Sequence, residues 1–335
     1  MVQEKKLVQN VSGWLRIYDD GSVDRTWTGP PEAKFMAEPV PPHEEFIDGV
    51  ATRDIITVAE SNRSVRLYLP GDYICCKEKL PVVVHFQGGG FCISEPDWFM
   101  YYNMYTRFAR AARFICVSPF LRRAPEHRLP AAIEDGFSTL LWLQSVAKGE
   151  SKELWLEKHA DFSRVFLIGD SSGGNVVHEV AALAGKASLK PLRLAGAIPV
   201  HPGFLRSTRS KSELEKPQSP FLTLDMLDNF LALALPVGST KDHPITCPMG
   251  EAAPPLSGLK LPPFLVCLAE MDLIWDTEME YYEAMKKANH DVELFVSKGM
   301  THSFYLNKIA VDMDPNTAAE TEALIARVKE FIEKH

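Results

Sequence analysis

One junction constrains the fold more than any other feature of the chain. The apolar run Val165-Phe166-Leu167-Ile168 leads directly into Gly169-Asp170-Ser171-Ser172-Gly173-Gly174-Asn175. Four bulky apolar residues ending at a glycine predict a strand buried on both faces, and a helix is expected from about Ser172. Strand and helix must then be joined by a turn so tight that side chains at Gly169 or Gly173 would collide with neighbouring backbone, leaving Ser171 pushed out at the end of the sheet. Similar runs recur at 82–86, 114–117, 194–200, 264–268 and 292–296, with room between them for crossover helices. This alternation predicts an α/β fold, with a mostly parallel central sheet flanked by helices. Upstream, 55–58 and 65–69, with a turn signal at Ser61-Asn62, predict an antiparallel pair.

Two stretches break the alternation. Residues 1–50 hold a short amphipathic start, a turn at Asp19-Asp20-Gly21 and prolines between Pro39 and Pro42, and are expected to be irregular. Between Pro202 and Pro263 one helix is expected, over Asp225 to Leu235. The whole of 1–335 reads as a single domain, with 1–50 and 203–262 as candidate cap or lid segments.

Bulk properties exclude several classes of function. A net charge of -8 with no Lys/Arg cluster lacks the basic footprint that nucleic acid or an anionic membrane surface requires. No apolar run approaches the roughly 18 residues that cross a bilayer, and MVQEKKLVQN lacks the apolar stretch of a signal peptide, so a cytoplasmic address is expected. The six cysteines (Cys75, Cys76, Cys92, Cys116, Cys247 and Cys267) have no Cys-x-x-Cys spacing and read as reduced core residues. Nothing has metal-ligand spacing, and neither a metal nor a cofactor is expected.

The residues that carry chemistry fall at the ends of the expected strands. A serine hydroxyl at neutral pH needs a base, and the base needs an orienting acid. The run 264–268 ends in Ala269-Glu270-Met271-Asp272, and 292–296 is followed by Gly299-Met300-Thr301-His302. Asp272 and His302 therefore stand just past C-terminal strand ends, where α/β sheets gather functional groups. Asp276 competes for the acid role, but it falls at a helix start, where capping accounts for it. After 82–86 comes Gln87-Gly88-Gly89-Gly90-Phe91, whose glycines free backbone N–H groups to face a developing oxyanion. The helix starting near Ser172 aims its own amides at the same place.

These residues together resemble the plant carboxylesterase family, a branch of the hormone-sensitive-lipase-like α/β-hydrolases. The resemblance spans essentially the whole chain and rests on residues 87–90, Ala124-Pro125-Glu126-His127-Arg128-Leu129-Pro130-Ala131-Ala132, residues 169–175, and the Asp272 and His302 loops. It implies hydrolysis of short acyl esters through an acyl-enzyme on Ser171, with His302 and Asp272 completing the triad. The Gly89, Gly90 and Ser172 amides would hold the oxyanion, and Gln87, Gly88, Gly169, Asp170 and Gly173 would support the motifs. The expected partner is a small-molecule ester.

The sequence departs from the family pattern at two places. Where the family has His-Gly-Gly-Gly, this chain has Gln87, with His85 two residues earlier on the strand and expected to face the same side. Gln87 can donate and accept, and is expected to brace the loop in place of the imidazole. The family's Asp-Tyr-Arg before Ala124 is here Phe120-Leu121-Arg122, and Glu126-His127 reads as structural loop. Two other functions remain open by resemblance. One is a dehydratase, eliminase or cyclase using the same triad; the other is a hormone-receptor-like binding protein, against which His302 speaks.

Overall fold

Eight strands form the central sheet of the structure, a computed structural model that describes residues 5–58, 63–71 and 78–335. They are β4 (Val50–Val58), β5 (Arg63–Pro70), β6 (Leu80–Phe86), β7 (Ile115–Pro119), β8 (Ala160–Asp170), β9 (Leu194–Val200), β10 (Phe264–Ala269) and β11 (Val292–Ser297), in spatial order β11-β10-β9-β8-β6-β7-β5-β4. From β11 through to β7 the neighbours run parallel; β5 is antiparallel to both β7 and β4. The expected α/β-hydrolase architecture is therefore present. Its inner strands are apolar runs because both faces are covered: every residue of β6, and all of β8 from Val165 on, is buried. The expected antiparallel pair is β4 with β5; its turn signal at Ser61-Asn62 lies outside the described residues, as do Cys75 and Cys76. The other four cysteines are buried and unpaired.

Side-chain alternation on β6 shows what covers each face. His85 points to α1 (Phe99–Ala112), where its ring stacks on Tyr105 with centroids 3.7 Å apart. Phe86 points the other way, towards Gly136 of α2 (Ala131–Ala147) and Val176 and Val180 of α4 (Ser172–Ala184). Between these layers and the sheet lies one continuous apolar core. The remaining helices are α3 (Leu154–His159), α5 (Lys211–Glu215), α6 (Leu224–Ala234), α7 (Trp275–Lys287), α8 (Lys308–Met313) and α9 (Pro315–Lys334), the last of which packs against α1.

The expected irregularity of residues 1–50 is corrected by the structure. A three-stranded antiparallel meander occupies its first half: β1 (Leu7–Val11), β2 (Leu15–Tyr18) and β3 (Val23–Asp24), with the Asp19-Asp20-Gly21 turn joining β2 to β3. These strands are short and mostly half exposed, so they lack the apolar runs that mark the main sheet. The meander rests on α6, where Gln9 Nε2 donates to Asn229 Oδ1 at 2.8 Å. Helix α6 begins one residue earlier than expected because Thr223 caps it, accepting from the Met226 amide. It ends at Ala234 because Leu235 precedes a proline and takes an extended conformation.

The segment 124–132 ties both of these pieces to the core. Arg25 donates to both Glu126 carboxylate oxygens and to the Ala124 carbonyl, and Arg128 donates to the Ala232 and Leu235 carbonyls at the end of α6.

Candidate active site

Loops leaving the C-terminal ends of β6, β8, β9 and β11 line one cleft, and the loop after β10 places Asp272 behind it, against His302. Ser171, Ser172, Gly89, Gly90, Asp170 and His302 all line the cleft. Most of the remaining wall is apolar and comes from outside the sheet: Trp14 from the loop joining β1 to β2, Phe221 and Leu222 ahead of α6, and Met226, Leu227 and Phe230 of α6 itself.

Ser171 occupies a conformation that side-chain-bearing residues rarely adopt, φ 51° and ψ -123°, between the last residue of β8 and the first of α4. Such a backbone costs on the order of 1–3 kcal/mol and persists only where its surroundings enforce it. Here the Ser171 amide donates to the Val200 carbonyl at 3.0 Å, and the Ser171 carbonyl accepts from the Gly174 and Gly203 amides. A Cβ on Gly173 would overlap the Phe86 carbonyl oxygen, so β6 and α4 approach this closely only because that residue is glycine.

His302 and Asp272 meet although they are thirty positions apart. The His302 Nδ1–H donates to Asp272 Oδ2 at 2.6 Å, with both side chains almost wholly buried. His302 Nε2 is buried and makes no hydrogen bond among the described residues. Burial alone would raise the Asp272 carboxyl. The His302 imidazole, the nearby His201 and the Ile274 amide outweigh it and hold Asp272 below the usual carboxylate range. The competitor Asp276 lies in α7 and caps a helix, though not its own. Its carboxylate accepts from the Ser212 amide in the first turn of α5 at 2.7 Å, and its own amide donates to Ser212 Oγ.

Two neighbours of this pair are not among the site residues expected from the sequence. His201, at the end of β9, accepts the Ser303 amide on Nδ1 at 2.9 Å, and its ring centroid lies 5.9 Å from that of His302. Burial, helped by the proximity of His302 and opposed by Asp272, lowers its pKa to about 3, so the ring is neutral. Glu278 of α7 is fully buried with neither carboxyl oxygen hydrogen-bonded; burial and the charge of Asp272 push its pKa far up, against the pull of Lys216. Of the two nearby carboxyls, only Asp272 is therefore ionised at neutral pH. A histidine just past a strand end is the one hint that could have flagged His201; Glu278 is brought there by the packing of α7 alone.

His201, Asp272 and His302 bring donor atoms within 4.8 Å of one another. The set does not suit a metal. Asp272 and His302 Nδ1 are spent on each other, and His201 must keep its proton on Nε2 because Nδ1 accepts an amide.

The glycine loop is braced by residues other than Gln87. Gly88 donates its amide to Tyr101 Oη at 3.0 Å, Ser94 Oγ donates to the Gly88 carbonyl at 2.7 Å, and the Phe91 amide donates to Ser172 Oγ at 3.1 Å. Gly89 sits at φ +93°, and among the described residues neither its amide nor that of Gly90 finds an acceptor within the protein. Gln87 is buried, but its Oε1 has no partner. It lines a small void with Leu121, Ala132 and Val176, on the α2 and α4 side of the sheet. The expectation that His85 and Gln87 share a face is thus corrected: β6 ends at Phe86, and the chain turns before strand alternation can carry to residue 87.

Residues 83–306 match the family model described as alpha/beta hydrolase fold. The chain is 34% identical to "Probable carboxylesterase 6" of Arabidopsis thaliana over 304 residues, which cover 90% of this chain and 85% of that protein. It is 34% identical to "Tuliposide A-converting enzyme 1, chloroplastic" of Tulipa gesneriana, covering 97% and 79%, and 34% identical to "2-hydroxyisoflavanone dehydratase" of Glycyrrhiza echinata, covering 98% and 97%. Among solved structures, carboxyl esterase 2 of the fungus Tuber melanosporum superposes with a TM-score of 0.70 at 20% identity, over 89% of this chain and 94% of that one. No helix among the described residues is long and apolar enough to cross a membrane.

Proposed function

Because the chain belongs to the plant carboxylesterase family of α/β-hydrolases and is a carboxylic ester hydrolase, we propose that it cleaves short-chain acyl esters of small, largely apolar molecules through an acyl-enzyme on Ser171. The observation that carries this reading is the buried His302–Asp272 pair, which opens on the same cleft as Ser171. With Nδ1–H held by the carboxylate, His302 keeps a free lone pair on Nε2 to take the serine proton. Ser171 Oγ then attacks the ester carbon. The carbonyl oxygen becomes an oxyanion facing the Gly89, Gly90 and Ser172 amides, and collapse expels the alcohol, which receives the proton from His302. Water repeats the cycle on the acyl-serine. Asp272 remains ionised throughout, since its role is to fix the tautomer and balance the imidazolium.

The wall built by Trp14, Phe221, Met226, Leu227 and Phe230 favours an apolar substrate, because desolvating a charged one there would go uncompensated. Residues 1–50 and 203–262, which supply that wall, act as the cap. The cytosolic address belongs to the same proposal, in keeping with four buried, unpaired cysteines; fractionation of tagged protein tests it. The chemistry is tested with p-nitrophenyl esters of increasing chain length, followed by mass spectrometry of the trapped enzyme. The expected result is turnover that falls as the acyl chain lengthens, with the acyl group on Ser171. Hydrolysis without label on Ser171 would remove the mechanism.

A second reading is favoured by one observation, the dehydratase of Glycyrrhiza echinata at the same identity. There His302 would shuttle a proton and the amides would polarise a carbonyl, with no acyl transfer. Loss of water from a β-hydroxy carbonyl compound, without an acyl-serine, would identify it.

A further inference from the structure

Behind the glycine loop lies a polar chain that ester hydrolysis, as outlined above, does not use. Ser118 of β7 and His85 of β6 are both fully buried, and His85 Nδ1 lies 2.6 Å from Ser118 Oγ. On the other side of the ring, His85 Nε2 faces Asp170 Oδ1 at 3.6 Å, and neither buried atom has a hydrogen-bond partner among the described residues. The other oxygen, Asp170 Oδ2, accepts from Tyr101 Oη at 3.2 Å, and Tyr101 Oη in turn accepts the Gly88 amide at 3.0 Å. The same Asp170 oxygen would lie 2.5 Å from a Cβ on Gly88, so carboxylate and loop are in direct contact.

Donor and acceptor directions follow from what each group can do. A buried carboxylate only accepts, so the proton between His85 and Asp170 sits on Nε2. Nδ1 then accepts from the Ser118 hydroxyl. Two donor arms therefore converge on Asp170: Ser118 and His85 on the Oδ1 side, where the imidazole N–H faces the carboxylate across 3.6 Å, a polar contact longer than a hydrogen bond, and Gly88 and Tyr101 on Oδ2. They join two parts that must keep a fixed separation: Asp170 immediately precedes Ser171, and Gly88 immediately precedes Gly89 and Gly90. The ring itself is held flat by stacking on Tyr105.

We propose that His85 is a positioning residue that, through Asp170 and Tyr101, fixes the oxyanion-binding glycine loop relative to Ser171. Gln87, on the opposite face and without a partner for its Oε1, takes no part. This inference rests on the acyl-transfer reading of the site. His85 itself lies outside the cleft, so its signature is lost transition-state stabilisation with ground-state binding retained.

The test uses the full chain, one short-chain p-nitrophenyl ester, and a trifluoromethyl ketone whose serine adduct carries an oxyanion. His85→Phe keeps the stacked ring and removes both the Ser118 hydrogen bond and the polar contact with Asp170. It is expected to lower kcat by about tenfold to a hundredfold, with KM within about twofold, and to weaken the ketone in proportion to kcat/KM. His85→Gln, whose amide can reach Asp170, is expected to recover most of the loss. Tyr101→Phe removes the one hydroxyl that receives the Gly88 amide, and should show the same proportionality whether or not His85→Phe folds. Folded His85→Phe or Tyr101→Phe with parental kcat and ketone affinity, or a loss confined to KM, overturns the inference. A parent protein that hydrolyses no ester fails the acyl-transfer reading instead, and with it the premise.

Discussion

The two sides of the cleft are held by different physics. On the side of His302 the positioning groups are ionisable and buried: an ionised Asp272, a neutral His201 and a protonated Glu278 share one desolvated space. On the side of the glycine loop the residues that line the cleft offer backbone amides, and their supports are hydroxyls, one carboxylate and, behind it, the ring of His85. Burying charge makes the first side an all-or-none device, since removing one partner leaves another uncompensated. Amides carry no titratable proton and share their work, so the second side should fail by degrees.

The largest effects separate the two sides most clearly. Ser171→Ala and His302→Ala are each expected to cost about 10⁶-fold in kcat, and the double variant no more than either, because the groups act as a unit. Steady-state kinetics on one ester decides this, and multiplying losses would contradict it. Asp272→Asn should cost about 10⁴-fold by giving His302 the wrong tautomer. If Asp276→Asn were the more damaging of the two, the acid would be misassigned.

Acid stability offers an intermediate contrast. His201 has a pKa of about 3, His178 about 4, and burial also lowers that of His85, all from an ordinary 6.5. Below pH 6.5 the unfolded chain takes protons that the folded chain refuses, so stability present above that pH is lost as pH falls towards the folded values. Melting temperature should therefore drop between pH 6.5 and 4. Replacing His201 with Gln should flatten that drop by up to about 1.4 kcal/mol per pH unit. An unchanged slope would mean that His201 is protonated in the fold. The smallest effect belongs to the loop side: Gln87→His should alter kcat by less than about tenfold, or about 1.4 kcal/mol of barrier, because residue 87 faces away from the cleft. A hundredfold gain would place residue 87 in control of the loop after all.

These contrasts track what could be read from the sequence. The strands of the main sheet were legible because burial on both faces writes itself as a local run such as Val82-Val83-Val84, and the same runs located Ser171, Asp272 and His302 at strand ends. The meander of β1 to β3 was not, because its strands are short, half exposed and supported by α6, more than two hundred positions away. Glu278 and the network through His85 escaped for a related reason. Each depends on which buried atoms face one another across elements, and periodicity carries no record of that. Gln87 was misplaced by extending strand alternation one residue past the strand.

Gly90 and α6 are in direct contact. Phe230 fills the space where a Cβ of Gly90 would stand, and Cys92 Sγ donates to the Phe230 carbonyl at 3.5 Å. The helix that roofs the cleft is thus also the outer wall of the loop that faces the developing charge. Any outward swing of α6 wide enough to admit an ester withdraws Phe230 and leaves that loop unsupported on its solvent side. Roof and loop therefore share one contact, so a side chain larger than hydrogen at position 90 would displace both together, and the shape of the substrate space cannot be altered there without altering the loop.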